Sequence, residues 1–168
     1  MIKIRLAEME DFEFFYNLKC EKLNIFWTGH KEKPERENLH KFFVNAVNNA
    51  VKKETRKIFI IENDNDKVGH IYIIPDENND VFAVSIALSE NYVGHGYAKK
   101  AIELGFEIGI GYGYKKAIAF IREDNIRSIN SFTSSGFKLS NYYEMRYIPN
   151  LEKEVKMFIF EKIYSKRV

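Results

Sequence analysis

The sequence predicts a mixed α+β fold, with a mostly antiparallel central sheet of about seven strands flanked by four helices, in one domain over 1–168. Three observations carry this expectation. Apolar segments with strand character recur at both ends of the chain and through its middle. Those at 57–62, 67–74 and 81–88 are separated only by short polar turns, which makes them an antiparallel meander. The strand at 81–88 is then joined to the next one by a long helix, and a helix crossover places two strands parallel and adjacent.

Taken in order, residues 2–7 alternate apolar and basic side chains as a strand does. Glu8, Glu10 and Asp11 put negative charge where a helix begins, and an aromatic-rich helix is expected from Asp11 to Leu23. Residues 24–33, which hold the only tryptophan, read as a loop. Pro34 suits a helix start, because its missing N–H has no partner there. In that helix Leu39, Phe42, Phe43, Ala46, Val47 and Ala50 follow the spacing of one buried face. Asn63-Asp64-Asn65-Asp66 forms a hairpin loop and residues 76–80 a second turn. A helix follows from Gly96 to Gly111, with Ala98, Ala101, Gly105 and Gly109 on one stripe of small residues that lets it approach the sheet closely. A short strand at 116–121, a short helix at 127–135 closed by Gly136, and strands at 139–148 and 155–163 complete the chain.

Composition narrows the function. A net charge of +2 gives no argument for a nucleic-acid partner. No apolar run approaches the roughly 20 residues of a membrane span, and the N-terminus lacks a signal-peptide core. With Cys20 as the only cysteine there is no internal disulfide, which fits a cytoplasmic protein, monomer or homodimer. No metal-ligand pattern is evident. Residues 112–168 carry 11 Lys/Arg against 6 Asp/Glu, whereas the remainder carries 15 against 18. That division suits a polyanionic ligand toward the C-terminal side and a cationic substrate toward the N-terminal side.

The most informative segment is Ser89-Glu90-Asn91-Tyr92-Val93-Gly94-His95-Gly96-Tyr97-Ala98, between the strand at 81–88 and the long helix. Two glycines one residue apart allow a sharp turn that aims successive N–H groups outward at the positive end of a helix, a setting suited to phosphate. Lys99 and Lys100, in the first helical turn, are either solvated or within reach of that phosphate. A third glycine and a G-x-x-x-x-G-K-S/T run are both missing, which counts against a dinucleotide or P-loop site.

Here the chain resembles the GNAT superfamily of acyl-CoA-dependent N-acetyltransferases. Asn91-Tyr92-Val93-Gly94-His95-Gly96 is similar to the family's R/Q-x-x-G-x-G/A turn. Asn125-Ile126-Arg127-Ser128, then Phe132 and Gly136-Phe137, are similar to its N-x-x-A/S, aromatic and Gly-Phe pattern. The resemblance implies that the strands at 81–88 and 116–121 splay apart around acetyl-CoA, the acetyl donor. It implies that Ile86 and Leu88 offer backbone groups to the pantetheine arm. Backbone N–H groups of Gly94, His95, Gly96, Tyr97 and Ala98 would hold the pyrophosphate, with Val93 and Lys99 as flanking coenzyme contacts. Asn125, Ser128, Asn130 and Phe132 would lie along the rest of the coenzyme. Asn91 replaces the usual Arg or Gln, and Phe132 stands where many members carry a tyrosine that protonates the thiolate.

The acceptor implied is a small-molecule amine, with an amino sugar favoured and a protein N-terminus as the alternative. A carboxylate is common in relatives on the strand at 81–88, and none occurs there. The candidate bases are therefore His30, His70 and Glu144. Trp27, His30, Ser85 and Tyr143 are the candidate acceptor contacts, with Trp27 either anchoring its loop or stacking on the acceptor. From another class, a non-catalytic acyl-CoA sensor fits the absence of both the tyrosine and the carboxylate.

Overall fold

The computed structural model describes residues 1–77 and 80–165, so the expected turn at 76–80 lies partly outside the described residues. Among these residues seven strands form one sheet: β1 (Ile2–Leu6), β2 (Lys57–Asn63), β3 (Asp66–Pro75), β4 (Val81–Leu88), β5 (Lys116–Arg122), β6 (Lys138–Ile148) and β7 (Lys153–Ile163). Their order across the sheet is β1-β2-β3-β4-β5-β7-β6. Every neighbouring pair is antiparallel except β4 and β5, which the crossover makes parallel.

That parallel pair decides where a ligand can enter. Only Val81, Phe82 and Ala83 pair with β5, opposite Lys116, Ala117 and Ile118. β4 stays paired to β3 as far as Leu88, opposite Gly69. The strands therefore part after Ala83, and among the described residues the β5-facing edge of β4 beyond that point has no strand partner. Unpaired strand edges are rarely left in a sheet interior unless something else pairs with them.

Among the described residues five α-helices cover the sheet: α1 (Phe12–Cys20), α2 (Lys22–Thr28), α3 (Arg36–Asn48), α4 (Tyr97–Gly111) and α5 (Ile126–Ser134). One face carries a core in which α4 and α5 pack on β3, β4, β5 and β7 through Ile71, Phe82, Ile102, Phe106, Phe132 and Phe137. On the other, α1 and α3 pack on β2 and β3 through Phe15, Phe43, Ile58, Ile60 and Tyr72. The small-residue stripe on α4 has the expected purpose: Ala101, Gly105 and Gly109 are buried. A Cβ at Gly109 would lie 2.1 Å from the Phe82 ring, so only glycine allows this close approach to β4.

The segment read as a loop around Trp27 is helical. The first helix ends at Cys20 because Glu21 is extended, with φ −65° and ψ 139°, and α2 restarts immediately after it. Glu21 leaves the helix to serve the end of β4. Its carboxylate accepts from Ser89 Oγ at 2.7 Å and from the Glu90 N–H at 2.8 Å. Asn24 completes the tie, donating to the carbonyls of Leu18 and Leu88. Among the described residues no helix is long and apolar enough to cross a membrane.

Candidate functional site

A cavity of about 440 Å³ opens where β4 leaves β5. Its floor is the end of β4 at Ile86, Ala87 and Leu88, its far wall is α2 at Leu23, Asn24 and Trp27, and its mouth is the start of α4. Asn125, Arg127, Ser128 and Asn130 close the remaining side from α5.

The mouth has the features of an anion cradle. Gly94 and Gly96 have φ of +84° and +78°, a backbone region that side chains rarely adopt. A Cβ built on either would meet nothing within 4 Å, so the protein's own packing does not require glycine there. Backbone conformation does require it, and so would a ligand that needs close access to the main chain. α4 also begins without a side-chain cap. Among the described residues the N–H groups of Val93 to Gly96 find no acceptor within the chain. A 15-residue helix with an uncapped N-terminus, approached by unpaired donors, provides donors and positive potential together. Gly94 and Gly96, Tyr97, Ala98 and Lys99 all line the cavity.

On α5 the sequence pattern has a folding role. Asn125 is the N-cap, its Oδ1 accepting from the Ser128 N–H at 3.2 Å, which leaves the side-chain NH₂ as its remaining donor. At the other end Gly136, with φ +87°, reverses the chain, and the Phe137 N–H donates to the Phe132 carbonyl at 3.1 Å. Phe132 and Phe137 meet edge to face at 5.1 Å in the core. Phe132, expected along the coenzyme, is 2% exposed and does not line the cavity; the apolar core takes it because it has no polar tip to keep wet. The polar groups of the α5 wall are instead the hydroxyls of Ser128, Ser131 and Ser134. Those of Ser131 and Ser134 donate to helix carbonyls at 3.0 Å, whereas Ser128 is not so engaged among the described residues.

Trp27 both anchors α2 and faces the cavity. Its ring lies 4.8 Å from the Arg122 guanidinium, which also covers Phe26 at 5.1 Å and pairs with Asp124 at 2.7 Å. Arg122 is 3% exposed, so α2 is held against the end of β5 by a buried cation.

The other expected residues lie outside this cavity. His95 is exposed, its ring stacked on Tyr97 with centroids 5.5 Å apart. His30 is exposed just beyond Gly29, and Tyr143 is exposed on the edge strand β6 beneath Lys156. Glu144, also on β6, is paired with Arg146. Ser85 is exposed on the opposite sheet face, opposite Tyr72 of β3. His70 is 1% exposed with both ring nitrogens unpartnered, and burial first, then the nearby Lys19 charge, holds it neutral well below the ordinary histidine range. None of the three candidate bases lines the cavity.

Sequence reasoning missed Leu23, Asn24 and Ala87 as cavity walls. Asn24 carries no local signal, because its role comes from a carbonyl 64 positions away. Arg127 was legible in principle, as a cation inside the same four-residue run as Asn125 and Ser128. Among the described residues no group of three or more His, Cys, Asp or Glu is placed to hold a metal ion.

The parted strands, the uncapped start of α4 and the polar wall of α5 thus meet in one cavity. The chain belongs to the acetyltransferase (GNAT) family, whose sequence profile matches residues 12–137. No curated protein matches it by sequence. Among solved structures it is similar in fold to aminoglycoside acetyltransferase AAC(6')-Ib in complex with coenzyme A, at 14% identity over 97% of this chain and 95% of that one, with TM-score 0.79. Spermidine N-acetyltransferase from Vibrio cholerae, in complex with CoA and spermine, gives 13% identity over 96% and 95%, with TM-score 0.83. A GNAT-family acetyltransferase from Bacillus anthracis gives 16% identity over 96% and 94%, with TM-score 0.79.

Proposed function

We propose that this protein transfers an acetyl group from acetyl-CoA to the primary amine of a small molecule, with an amino sugar the favoured acceptor. The observation that carries the reading is the uncapped start of α4, with Gly94 and Gly96 in left-handed conformation, at the point where β4 leaves β5. Solved structures of the same fold include an aminoglycoside acetyltransferase and a spermidine N-acetyltransferase, each in complex with coenzyme A.

The residues divide the work. N–H groups from Val93 to Ala98 bind the pyrophosphate, with Lys99 and Arg127 adding positive charge at the mouth. The free edge of β4 beyond Ala83 pairs with the amides of the pantetheine arm as an added strand does. That pairing fixes the thioester in the parted sheet, where a β4 N–H polarises its carbonyl. Acetyl-CoA supplies the activated acyl group. The neutral amine's lone pair forms the new C–N bond as the C–S bond breaks, and the proton the amine loses is the one the thiolate needs. With Phe132 in the core, that proton moves through the Ser128 hydroxyl or solvent.

A non-catalytic acyl-CoA sensor is the second reading, favoured by the buried Phe132 and by β4 lacking a carboxylate. The two separate in one assay: thiol release from acetyl-CoA against amino sugars, polyamines and peptide N-termini. Turnover with any acceptor removes the sensor; tight acetyl-CoA binding without turnover removes the enzyme.

A further inference from the structure

The sheet face opposite α4 carries a charge arrangement that the proposed reaction does not yet use. Tyr72 on β3, 8% exposed, holds two cations over one ring: Lys19 Nζ at 4.8 Å from its centroid and the Arg56 guanidinium at 5.5 Å. Phe15 supports Lys19 from one side at 5.4 Å, and Phe42 supports Arg56 at 5.4 Å. Among the described residues neither cation has a carboxylate within ion-pair distance.

Two like charges brought together without a counter-ion are unfavourable, by an amount that grows as water is excluded. Lys19 shows the effect: burial, and then the Arg56 charge, lower its pKa to about 8. Nearby, Glu13 of α1 pairs with Arg36, and Asp11 just before α1 pairs with Arg5 and Lys67. Beside the pair lies His70, its centroid 4.4 Å from Tyr72, buried and with neither ring nitrogen hydrogen-bonded. Half-buried Lys19, exposed Arg56 and the buried imidazole gather polar groups on one face that suit a negatively charged ligand.

The location ties this ligand to the acetyl-transfer site. Tyr72 stands directly across from Ser85, which is two residues past the last β4–β5 pair. Side chains directly opposite on neighbouring strands share a face, so Ser85, Tyr72 and the cation pair lie on one side of the sheet, about one or two strand spacings (~5–10 Å) from the parting. An acceptor reaching the thioester from this side, its amine toward β4, would lay its distal end over Tyr72.

We propose that the acceptor is a primary amine bearing an oxyanion, a carboxylate or a phosphate, and that Lys19 and Arg56 are its specificity-determining contacts. The inference rests on the acetyltransferase reading above. It also reverses the expectation from charge counts, since the N-terminal side is acidic in sum and cationic at this point. An anion here satisfies both charges at once, whereas a polyamine would bring a third cation to them.

The test uses matched acceptors that differ in the oxyanion alone: β-alanine against β-alaninamide, and glucosamine 6-phosphate against glucosamine, with spermidine as a polycation. Thiol release from acetyl-CoA gives kcat/KM for each. The oxyanion-bearing member of at least one pair is expected to lead by about tenfold or more, as a charge-assisted contact implies. Whichever pair responds identifies carboxylate or phosphate as the source. In Lys19→Met/Arg56→Gln, which keeps the aliphatic stem on Tyr72, that lead collapses through KM. Calorimetric titration of β-alanine and glucosamine 6-phosphate into the protein saturated with coenzyme A gives a second readout, with binding expected in the wild type and lost in the double variant. A preference for the uncharged or polycationic amines, a lead that survives the double substitution, or no oxyanion binding to the wild type overturns the proposal. Failure to bind acetyl-CoA at all would instead sink the acetyltransferase reading, which keeps the two failures distinct.

Discussion

Gly96→Ala separates what the turn contributes to folding from what it contributes to binding. The backbone at Gly96 has φ +78°, and an alanine held there costs about 1 kcal/mol relative to glycine. The added Cβ meets nothing in the protein within 4 Å, so no packing term adds to that strain. Gly113 is a matched control outside the cavity, with φ +92° and only Lys53 Nζ at 3.6 Å. Both substitutions are expected to lower Tm by about 2–4 °C in a chain of this size. Their effects on the ligand differ. At Gly96 the methyl enters the cavity mouth and keeps phosphate oxygens off the backbone donors, a loss of about 1.5–3 kcal/mol, or ten- to a hundredfold in Kd. Gly96→Val, larger and β-branched, weakens binding further. Calorimetry with acetyl-CoA, paired with thermal denaturation, reads both quantities. Wild-type affinity in Gly96→Ala, or equal weakening in Gly113→Ala, would refute the assignment of this turn to the pyrophosphate.

Three further outcomes follow from the packing. Gly109→Ala places a Cβ 2.1 Å from the Phe82 ring, so overpacking of about 1–3 kcal/mol exceeds the ~1 kcal/mol gain in helix propensity; Gly111→Ala, with nothing within 4 Å, keeps a propensity gain of up to that size, and urea titration distinguishes them. His70 stays neutral in the folded state while the unfolded imidazole takes a proton below about pH 6.5, so stability is fully present above that pH and falls by up to about 1.4 kcal/mol per unit as pH drops toward the depressed folded pKa. His70→Leu flattens that slope in denaturation at pH 7.5, 6 and 5, and an unchanged slope would show that another group titrates. Arg122→Met removes the cation under the sole tryptophan and costs about 1–2 kcal/mol, with Trp27 emission shifting toward that of a solvated indole; unchanged fluorescence would mean that α2 is held by other contacts.

The sheet and its crossover were legible because they rest on local signals: strand-length apolar runs, polar turns and a small-residue stripe. The Val81–Leu88 strand falls where its sequence places it, and the glycine pair fixed the cavity mouth. The break between α1 and α2 was not legible, since Glu21 leaves the helix to bind Ser89 and Glu90 across the tertiary structure. Phe132 matches a motif position, yet a benzyl side chain on the inner face of an amphipathic helix follows the core. The candidate bases failed to converge on the cavity for a related reason: residue type names possible chemistry, while only pairing registers say which face a side chain takes. Lys19 and Arg56 gave no sequence signal at all, because 37 positions separate residues that one Tyr72 ring unites.

Mixing the protein with acetyl-CoA and the acceptor panel decides whether the parted strands and the uncapped helix serve acetyl transfer to an amine. Free thiol and the mass of the recovered amine are followed together. Thiol release that depends on the acceptor is expected, with one acetyl group gained per thiol freed. Acetyl-CoA bound at the Gly94–Gly96 turn with no acceptor-dependent thiol, across sugars, amino acids, polyamines and peptides, would contradict it.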